Sequence, residues 1–442
     1  MIKKLFASPA IIQSASIYTL STLINSLVRF AVLTIGARVL DLEDFGALDM
    51  IFFVALIFSS LIVMGSDSAV LRFMFNGEKN DQYAKRVLTS GLTLTITSSI
   101  ILIILFNLSF LIIDYSSLLL SNKTLINCIA LFGVGFSIMA VNGAHMRAQF
   151  EEKRFFIATI TSALIRIVPL ALFFFIGKTN LTTFLYIVSV TYFTSGIIFL
   201  ALNYRWISFY SMDSTLICKM CKFGFPLGGI VVTASFYPFL ERFIILYNYD
   251  NVWLSIYAAS AFPAMFLSVA TQVVNSAWVP YALKVRNHKN SSFIQHSAVI
   301  LHIFSVLLYF FLLILSETIV QTLIPISIEN PARLFPFIGM IFLVRFSSIF
   351  TSFGLIFSKR TDIKFIINTC GFISSVAAAF IASKYHTIEV IPIIFFLVSY
   401  FIYLIEAIFS YRSTPEITVP YSFMVINIGI IGLTVFFIEM VN

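Results

Sequence analysis

The sequence has few charged residues and no long hydrophilic stretch. Of its 442 residues, 11% are charged and 60% are hydrophobic, a balance that excludes an ordinary soluble protein. No segment between the apolar runs is long enough to fold as a separate domain. The net charge of +8 does not indicate a nucleic-acid partner, because the distribution of basic residues described below matches a membrane topology instead. We therefore expect one polytopic membrane bundle.

Motifs for metals and nucleotides are also scarce. The four cysteines include Cys218-Lys-Met-Cys221, which has zinc-like spacing, but no second pair or histidine cluster accompanies it. Gly177-Lys178-Thr179 ends like a phosphate-binding loop, but Leu172 stands where that loop needs glycine. We expect no metal, no cofactor and no catalytic residue.

The apolar segments predict twelve or thirteen transmembrane helices, since a segment crossing lipid must satisfy its own backbone hydrogen bonds. They lie at 11–39, 47–66, 87–113, 125–145, 155–177, 182–203, 223–249, 253–281, 293–315, 334–357, 364–383 and 388–410, with a thirteenth at 420–440. The fold class is therefore all-α, with two pseudo-related six-helix lobes around a central cavity. We place the N-terminal lobe at 1–222 and the C-terminal lobe at 223–442, including the extra span.

Lysine and arginine lie mostly on one side of this map. With a cytoplasmic N-terminus, 19 of the 28 fall in cytoplasmic connections and 5 on the opposite side. Positive residues favour the cytoplasmic side of a membrane, so this bias fixes the predicted orientation. The remaining four lie inside spans: Arg29, Arg166, Arg242 and Arg345.

Those four arginines are the main functional signal. Each costs roughly 2.5–3.5 kcal/mol at the centre of a membrane helix, and Glu241 is the clear intramembrane candidate to pair with them. A positive, water-filled cavity for an anionic substrate would account for them, since guanidinium groups match phosphate oxygens. The alternative is a structural role, in which they bond helix ends or neighbouring carbonyls.

Three further polar residues are candidates. Asn25 precedes Arg29 by four residues and shares its helix face, so it could line the cavity or bond a neighbouring helix. Glu241 and Asp67 are candidates for ion coupling. Adjacent residues point about 100° apart on a helix, so Glu241 and Arg242 are not naturally placed to pair. Asp67 could instead be an interfacial or capping group.

Several short motifs together resemble the Wzx-type O-antigen and polysaccharide flippases of the multidrug/oligosaccharidyl-lipid/polysaccharide exporter superfamily. They are Leu40-Asp-Leu-Glu-Asp-Phe-Gly46, Met64-Gly65, Leu71-Arg72-Phe73, Phe225-Pro226-Leu227 and Ile256-Tyr257-Ala258-Ala259. The chain departs from that pattern at Glu241, where aspartate is expected, at Ser255, where glycine is usual, and in its thirteenth span.

This resemblance implies a flippase that moves an undecaprenyl-pyrophosphate-linked oligosaccharide across a bacterial inner membrane by alternating access. It implies substrate contacts from Arg29 and Arg242, and by extension from Arg166 and Arg345. Membrane lipids, H⁺ or Na⁺ as coupling ion, and a polysaccharide polymerase with its chain-length machinery are the expected partners. The alternatives are a multidrug or ion antiporter of the same superfamily and a membrane-embedded polysaccharide polymerase or ligase.

Overall fold

A computed structural model of the chain describes residues 9–76, 80–109, 123–208, 213–285, 291–324, 333–358, 360–385, 387–414 and 429. Every regular element in these ranges is helical, as predicted. The α-helices are α1 (Pro9–Val39), α2 (Leu42–Val63), α3 (Ser66–Asn76), α4 (Asp81–Ser109), α5 (Lys123–Ala148), α6 (Glu152–Ala171), α7 (Phe173–Ile176), α8 (Leu181–Leu202), α9 (Ser214–Asn248), α10 (Asn251–Ala261), α11 (Ala264–Val285), α12 (Ser291–Leu323), α13 (Phe335–Thr351), α14 (Phe353–Phe357), α15 (Thr361–Ala382) and α16 (Val390–Ser413).

Ten of these helices are long and apolar enough to cross a membrane. The bent pair α10 and α11 adds an eleventh span, and α13 is a shorter apolar helix. These twelve correspond to the twelve spans predicted from the sequence. The thirteenth prediction, 420–440, falls outside the described residues except for Gly429.

The predicted span 253–281 is wrong as one continuous helix. It is divided at Phe262 and Pro263 into α10 and α11, which are bent by 49°. Proline lacks a backbone N–H, and its ring clashes with the preceding turn, so a break at this position is expected. The predicted span 334–357 is likewise interrupted, since α13 ends at Thr351 and α14 follows from Phe353.

Three predicted spans begin at least five residues too late. Helix α2 starts at Leu42 rather than 47, α4 at Asp81 rather than 87, and α9 at Ser214 rather than 223. Each of these helices begins with a polar first turn, which the search for apolar segments did not include. Before α9, the Asp213 carboxylate accepts hydrogen bonds from the backbone N–H of Thr215 at 3.0 Å and of Leu216 at 3.2 Å, as an N-cap does. The hydrogen bonds from Thr215 and Leu216 hold the pKa of Asp213 below its ordinary value.

The chain forms two compact units, Met1–Phe243 and Ile244–Asn442. In the first, α5 is central and packs against α2, α3, α4 and α8. In the second, α13 packs against α11, α12 and α16, and 12 of its 17 residues are buried. The boundary between these units lies inside α9, whereas the lobes predicted from the sequence divide after residue 222. The division into two pseudo-related lobes remains a prediction.

A close backbone contact joins the end of α2 to the first half of α9. The turn after α2 has Met64 at φ 38° and Gly65 at φ 76°. A Cβ atom on Gly65 would lie 2.1 Å from the carbonyl oxygen of Gly224, and one on Gly228 would lie 2.4 Å from the carbonyl carbon of Met64. Only residues without a side chain allow these two backbones to approach so closely. The Met64-Gly65 motif of the family resemblance therefore packs against the two glycines that flank another of its motifs, Phe225-Pro226-Leu227.

We predict that Gly65→Ala destabilises the protein more than either of two matched substitutions. An alanine at Gly65 would have to adopt a left-handed backbone conformation, which costs about 1–2 kcal/mol. It would also clash with the neighbouring backbone, which typically costs about 1–3 kcal/mol. Gly177→Ala tests the backbone effect alone, because Gly177 has φ 88° and nothing within 4 Å. Gly228→Ala tests the clash alone.

The measurement is the thermal unfolding midpoint of each purified variant in the same detergent. We expect Gly65→Ala to show the largest loss. A midpoint for Gly65→Ala equal to that of Gly177→Ala would contradict the packing account.

Candidate functional site

A buried ion pair joins α2 to α9 within the first compact unit. The Arg242 Nε donates to the Asp49 carboxylate, and both side chains are 3% exposed. Arg242 also donates from Nη1 to the Pro238 carbonyl oxygen at 2.9 Å. Asp49 lies seven residues from the start of α2 and Arg242 six from the end of α9, so each is about 10 Å inside its helix. The two charges therefore meet at one depth.

Arg29 on α1 is held by aromatic rings rather than by a carboxylate. Its guanidinium carbon lies 5.2 Å from the ring centre of Phe52 and 5.1 Å from that of Phe53. The guanidinium carbon of Arg242 lies 4.2 Å from the same Phe53 ring. Such cation–π contacts stabilise a cation by roughly 0.5–2 kcal/mol. Phe53 thus lies against both guanidinium groups.

The Arg29 guanidinium is not fully satisfied by the protein. Its Nε is buried and makes no hydrogen bond to the described residues. Asp49 and Arg242 both act on it electrostatically, but within the described part of the chain no carboxylate lies within ion-pair distance of Arg29. A buried donor without an acceptor costs about 1–3 kcal/mol. Arg29 can therefore gain from an anionic acceptor.

Arg166 on α6 is held differently. Its side chain is buried, with 2% exposed. It donates one hydrogen bond from Nη2 to the Asn25 side-chain oxygen at 2.7 Å and another from Nε to the Ser162 carbonyl oxygen at 3.0 Å. Its guanidinium carbon lies 5.0 Å from the Tyr192 ring centre. Asn25 therefore forms an interhelical hydrogen bond, one of the two roles that the sequence left open.

We call these residues the arginine–aromatic cluster. It comprises Arg29, Arg166, Arg242, Asn25, Asp49, Phe52, Phe53 and Tyr192. Phe52 connects its two parts, because its ring centre lies 6.4 Å from that of Tyr192, and Tyr192 also acts electrostatically on Arg29. With neighbouring Glu241 included, three positive charges face two negative ones.

Glu241 is not the main partner of Arg242. Its carboxylate lies 4.0 Å from Arg242 Nη1, a longer contact than that of Asp49, as the angular separation of adjacent helical residues predicts. The sequence-based view that Glu241 was the clear carboxylate partner is therefore corrected: Asp49 takes that position.

The other predicted site residues lie elsewhere. Asp67 is in the first turn of α3, where a negative charge favours the helix N-terminus, and it acts electrostatically on Arg147. Arg345 is on α13 in the second compact unit, with its guanidinium carbon 5.7 Å from the Phe342 ring centre. The functional roles of both residues remain predictions.

We predict that the Asp49–Arg242 pair shows strong energetic coupling. Asp49→Asn and Arg242→Gln should each destabilise by about 3–5 kcal/mol, because each leaves one buried charge without its partner. The double variant removes both charges and should be destabilised by less than the sum, with a coupling of about 0.5–3 kcal/mol.

The measurement is a double-mutant cycle on the free energy of unfolding in mixed micelles. The control cycle uses Asp41 and Lys178, an exposed ion pair at 2.5 Å, where about 0–1 kcal/mol is expected. Additive effects at Asp49 and Arg242 would show that this pair is not the stabilising contact.

Comparison with known proteins supports the fold. A multidrug resistance MATE family transporter of the MOP superfamily, in an inward-facing conformation, aligns with a TM-score of 0.69 and 11% identity, over 90% of this chain and 95% of that chain. A MATE transporter in complex with MaD3S aligns with a TM-score of 0.66 and 12% identity, over 93% and 98%. At these identities the likeness shows the fold alone.

A third relative is a MOP superfamily transporter from Pyrococcus furiosus, whose binding pocket is described as having reverse polarity that suggests a different function. It aligns with a TM-score of 0.66 and 12% identity, over 93% of this chain and 97% of that chain. No curated protein matches the sequence significantly.

The sequence itself identifies the family. The model of a family described as polysaccharide biosynthesis protein matches residues 11–286, which is more than half of the chain and includes every residue of the arginine–aromatic cluster. The protein is thus a multi-pass membrane protein with a MATE-like fold, and it belongs to the polysaccharide biosynthesis protein family.

Proposed function

We propose that this protein is a flippase that moves a lipid-linked oligosaccharide across a bacterial inner membrane, with the pyrophosphate of the carrier lipid bound at the arginine–aromatic cluster. The observation that carries the proposal is Arg29, an intramembrane guanidinium held by two phenyl rings, with a buried donor that the described residues leave unsatisfied. Membership of a polysaccharide biosynthesis family supports a sugar-bearing substrate.

The net positive charge of the arginine–aromatic cluster favours an anionic substrate. Arg29, Arg166 and Arg242 outnumber the two nearby carboxylates, and phosphate oxygens accept the paired N–H groups of a guanidinium fork. A site for cationic drugs would need the opposite excess. The Pyrococcus furiosus relative, whose reversed pocket polarity is taken to suggest a different function, offers a parallel for a change of function on this fold.

Asp49 gives the site a means of release. While the site is empty of phosphate, its carboxylate neutralises Arg242. An arriving phosphate competes with Asp49 for that guanidinium, so the free energy of phosphate binding is reduced by the energy of the displaced ion pair. A transporter must release what it binds, and this competition prevents the head group from binding too tightly.

No covalent chemistry is needed for this function. The lipid tail would remain in the bilayer while the charged head group crosses, with the site exposed alternately to the two sides of the membrane. H⁺ or Na⁺ could supply the driving force, and a polysaccharide polymerase would consume the product on the outer side.

The proposed orientation places the N-terminus in the cytoplasm, on the evidence of the lysine and arginine distribution. We predict that Lys178→Cys is labelled in intact cells by a membrane-impermeant maleimide, in a background where the four native cysteines are replaced. Asn80→Cys should be labelled only after the membrane is permeabilised.

Both positions are exposed, so failure of labelling would not reflect burial. Loss of the Lys178–Asp41 surface ion pair is expected to change stability by about 0–1 kcal/mol. The reverse labelling pattern would invert the proposed topology.

We predict that Arg29→Ala weakens head-group binding about ten- to hundredfold, because a charge-assisted hydrogen bond is worth about 1.5–3 kcal/mol and each 1.4 kcal/mol is tenfold. Arg29→Lys should lose less, since it keeps the charge but not the fork. The measurements are the dissociation constant for undecaprenyl pyrophosphate in detergent and the initial flipping rate in liposomes, at equal amounts of folded protein.

The matched control is Arg38→Ala, an exposed arginine on the same helix, which should bind and flip like the wild type. If Arg29→Ala also behaves like the wild type, the arginine has a structural role and the anionic site is wrong. If the folded wild-type protein exports cationic dyes but flips no lipid, the multidrug alternative is favoured. Polymer formation without flipping would favour the enzyme alternative.

A further inference from the structure

The second compact unit contains a buried carboxylate that the arginine–aromatic cluster does not use. Glu406 on α16 is 1% exposed and lies seven residues before the end of that helix, about 10 Å inside it. An ionisable residue at this depth is costly and is a candidate functional residue by default. Its surroundings therefore decide what it can do.

Within the part of the chain that the structure describes, one hydrogen-bond donor and one nearby cation act on this carboxylate. The Asn368 amide on α15 donates to Glu406 Oε1 at 2.6 Å, and also to the Lys364 carbonyl oxygen at 2.8 Å. The Lys364 ammonium acts electrostatically on Glu406 but donates its hydrogen bond to Ser352 Oγ at 2.8 Å. Among the described residues, Glu406 has no ion pair within 4.0 Å.

Lys364 is the charged residue whose field reaches Glu406 from the helices packed against α16, namely α13, α14 and α15. The other charged or tyrosyl residues on these four helices are Arg345, Asp362, Tyr400, Tyr403, Tyr411 and Arg412. The Glu406 carboxylate is therefore removed from water, and Lys364 and Asn368 compensate its negative charge only in part.

This arrangement suits a proton better than a metal cation. A hard cation takes about six or more oxygen ligands, but Oε1 of Glu406 already accepts from an amide, and an ammonium group lies close by. Both groups oppose a second positive ion. A proton needs a single oxygen and removes the cost of the buried charge.

We propose that Glu406, with Asn368 and Lys364, forms a proton-binding site in the second compact unit. The Asn368 amide orients the carboxyl group, and the Lys364 ammonium sets the pH at which the proton leaves. The site is separate from the predicted coupling residues Glu241 and Asp67. Its use in driving transport rests on the proposed function, whereas proton binding itself does not.

The direct test is labelling of the purified full-length protein with N,N′-dicyclohexylcarbodiimide, which reacts with protonated carboxyl groups in apolar surroundings, followed by mass spectrometry of the peptide that contains Glu406. We expect labelling at low pH that declines as the pH rises. Glu406→Gln should abolish it, and Glu317→Gln, at an exposed glutamate on α12, should leave it unchanged.

The discriminating variant is Lys364→Met. The Lys364 ammonium favours the ionised carboxylate, so its removal should keep Glu406 protonated to a higher pH and raise the labelling midpoint by about one pH unit. Ser352→Ala is the matched control, because it removes the hydrogen-bond partner of Lys364 but keeps its charge; its midpoint should stay close to that of the wild type.

Absence of Glu406 labelling from pH 5 to 9 in folded protein would overturn the proposal. So would an unchanged midpoint in Lys364→Met, or protection by Na⁺ at constant pH, which would indicate a metal cation. In liposomes, Glu406→Gln should still bind undecaprenyl pyrophosphate but lose the response of flipping to an imposed pH gradient. If the wild type flips no lipid, the proposed function fails, and labelling still decides the proton site.

Discussion

The buried ion pair between Arg242 and Asp49 is the constraint on which the rest of the arginine–aromatic cluster depends. Two charges buried at the same depth of neighbouring helices are stable only while they compensate each other. The pair therefore fixes the register of α9 against α2. The glycine contact between the Met64–Gly65 turn and the first half of α9 holds the same two helices together further along. Both contacts lie in the first compact unit.

This fixed register lets one aromatic ring serve two arginines. Phe53 is four residues after Asp49, one helical turn along α2, so it stands beside the Arg242 guanidinium and also reaches Arg29. Carboxylates and aromatic rings have different effects here. The carboxylate cancels the charge of Arg242, whereas the rings stabilise Arg29 and leave its charge available to a ligand. Two neighbouring arginines thus differ: the charge of Arg242 is neutralised by Asp49, whereas that of Arg29 is not neutralised by an ion pair within the described residues.

The sequence predicted the helical class and the twelve apolar segments, and it singled out Arg29, Arg166 and Arg242 as charges inside spans, because apolar length and intramembrane charge are local properties. It missed Asp49, since a predicted start at 47 placed that residue at the membrane edge, whereas α2 begins at Leu42. Phe52, Phe53 and Tyr192 were hidden among 50 phenylalanines and 18 tyrosines. Glu406 was overlooked because it lies close to the predicted end of its span at residue 410, where a charged residue is unremarkable. Which side chains meet is a tertiary property that one sequence does not display.

The two proposed ligands have a thermodynamic relation that transport could use. The excess positive charge of the arginine–aromatic cluster lies in the first compact unit and the partly compensated carboxylate of Glu406 in the second. If the conformations of a transport cycle differ in affinity for both a phosphate and a proton, the two ligands are linked, and by reciprocity each changes the affinity for the other by the same factor. Such coupling would allow an ion gradient to drive the movement of a large anionic head group.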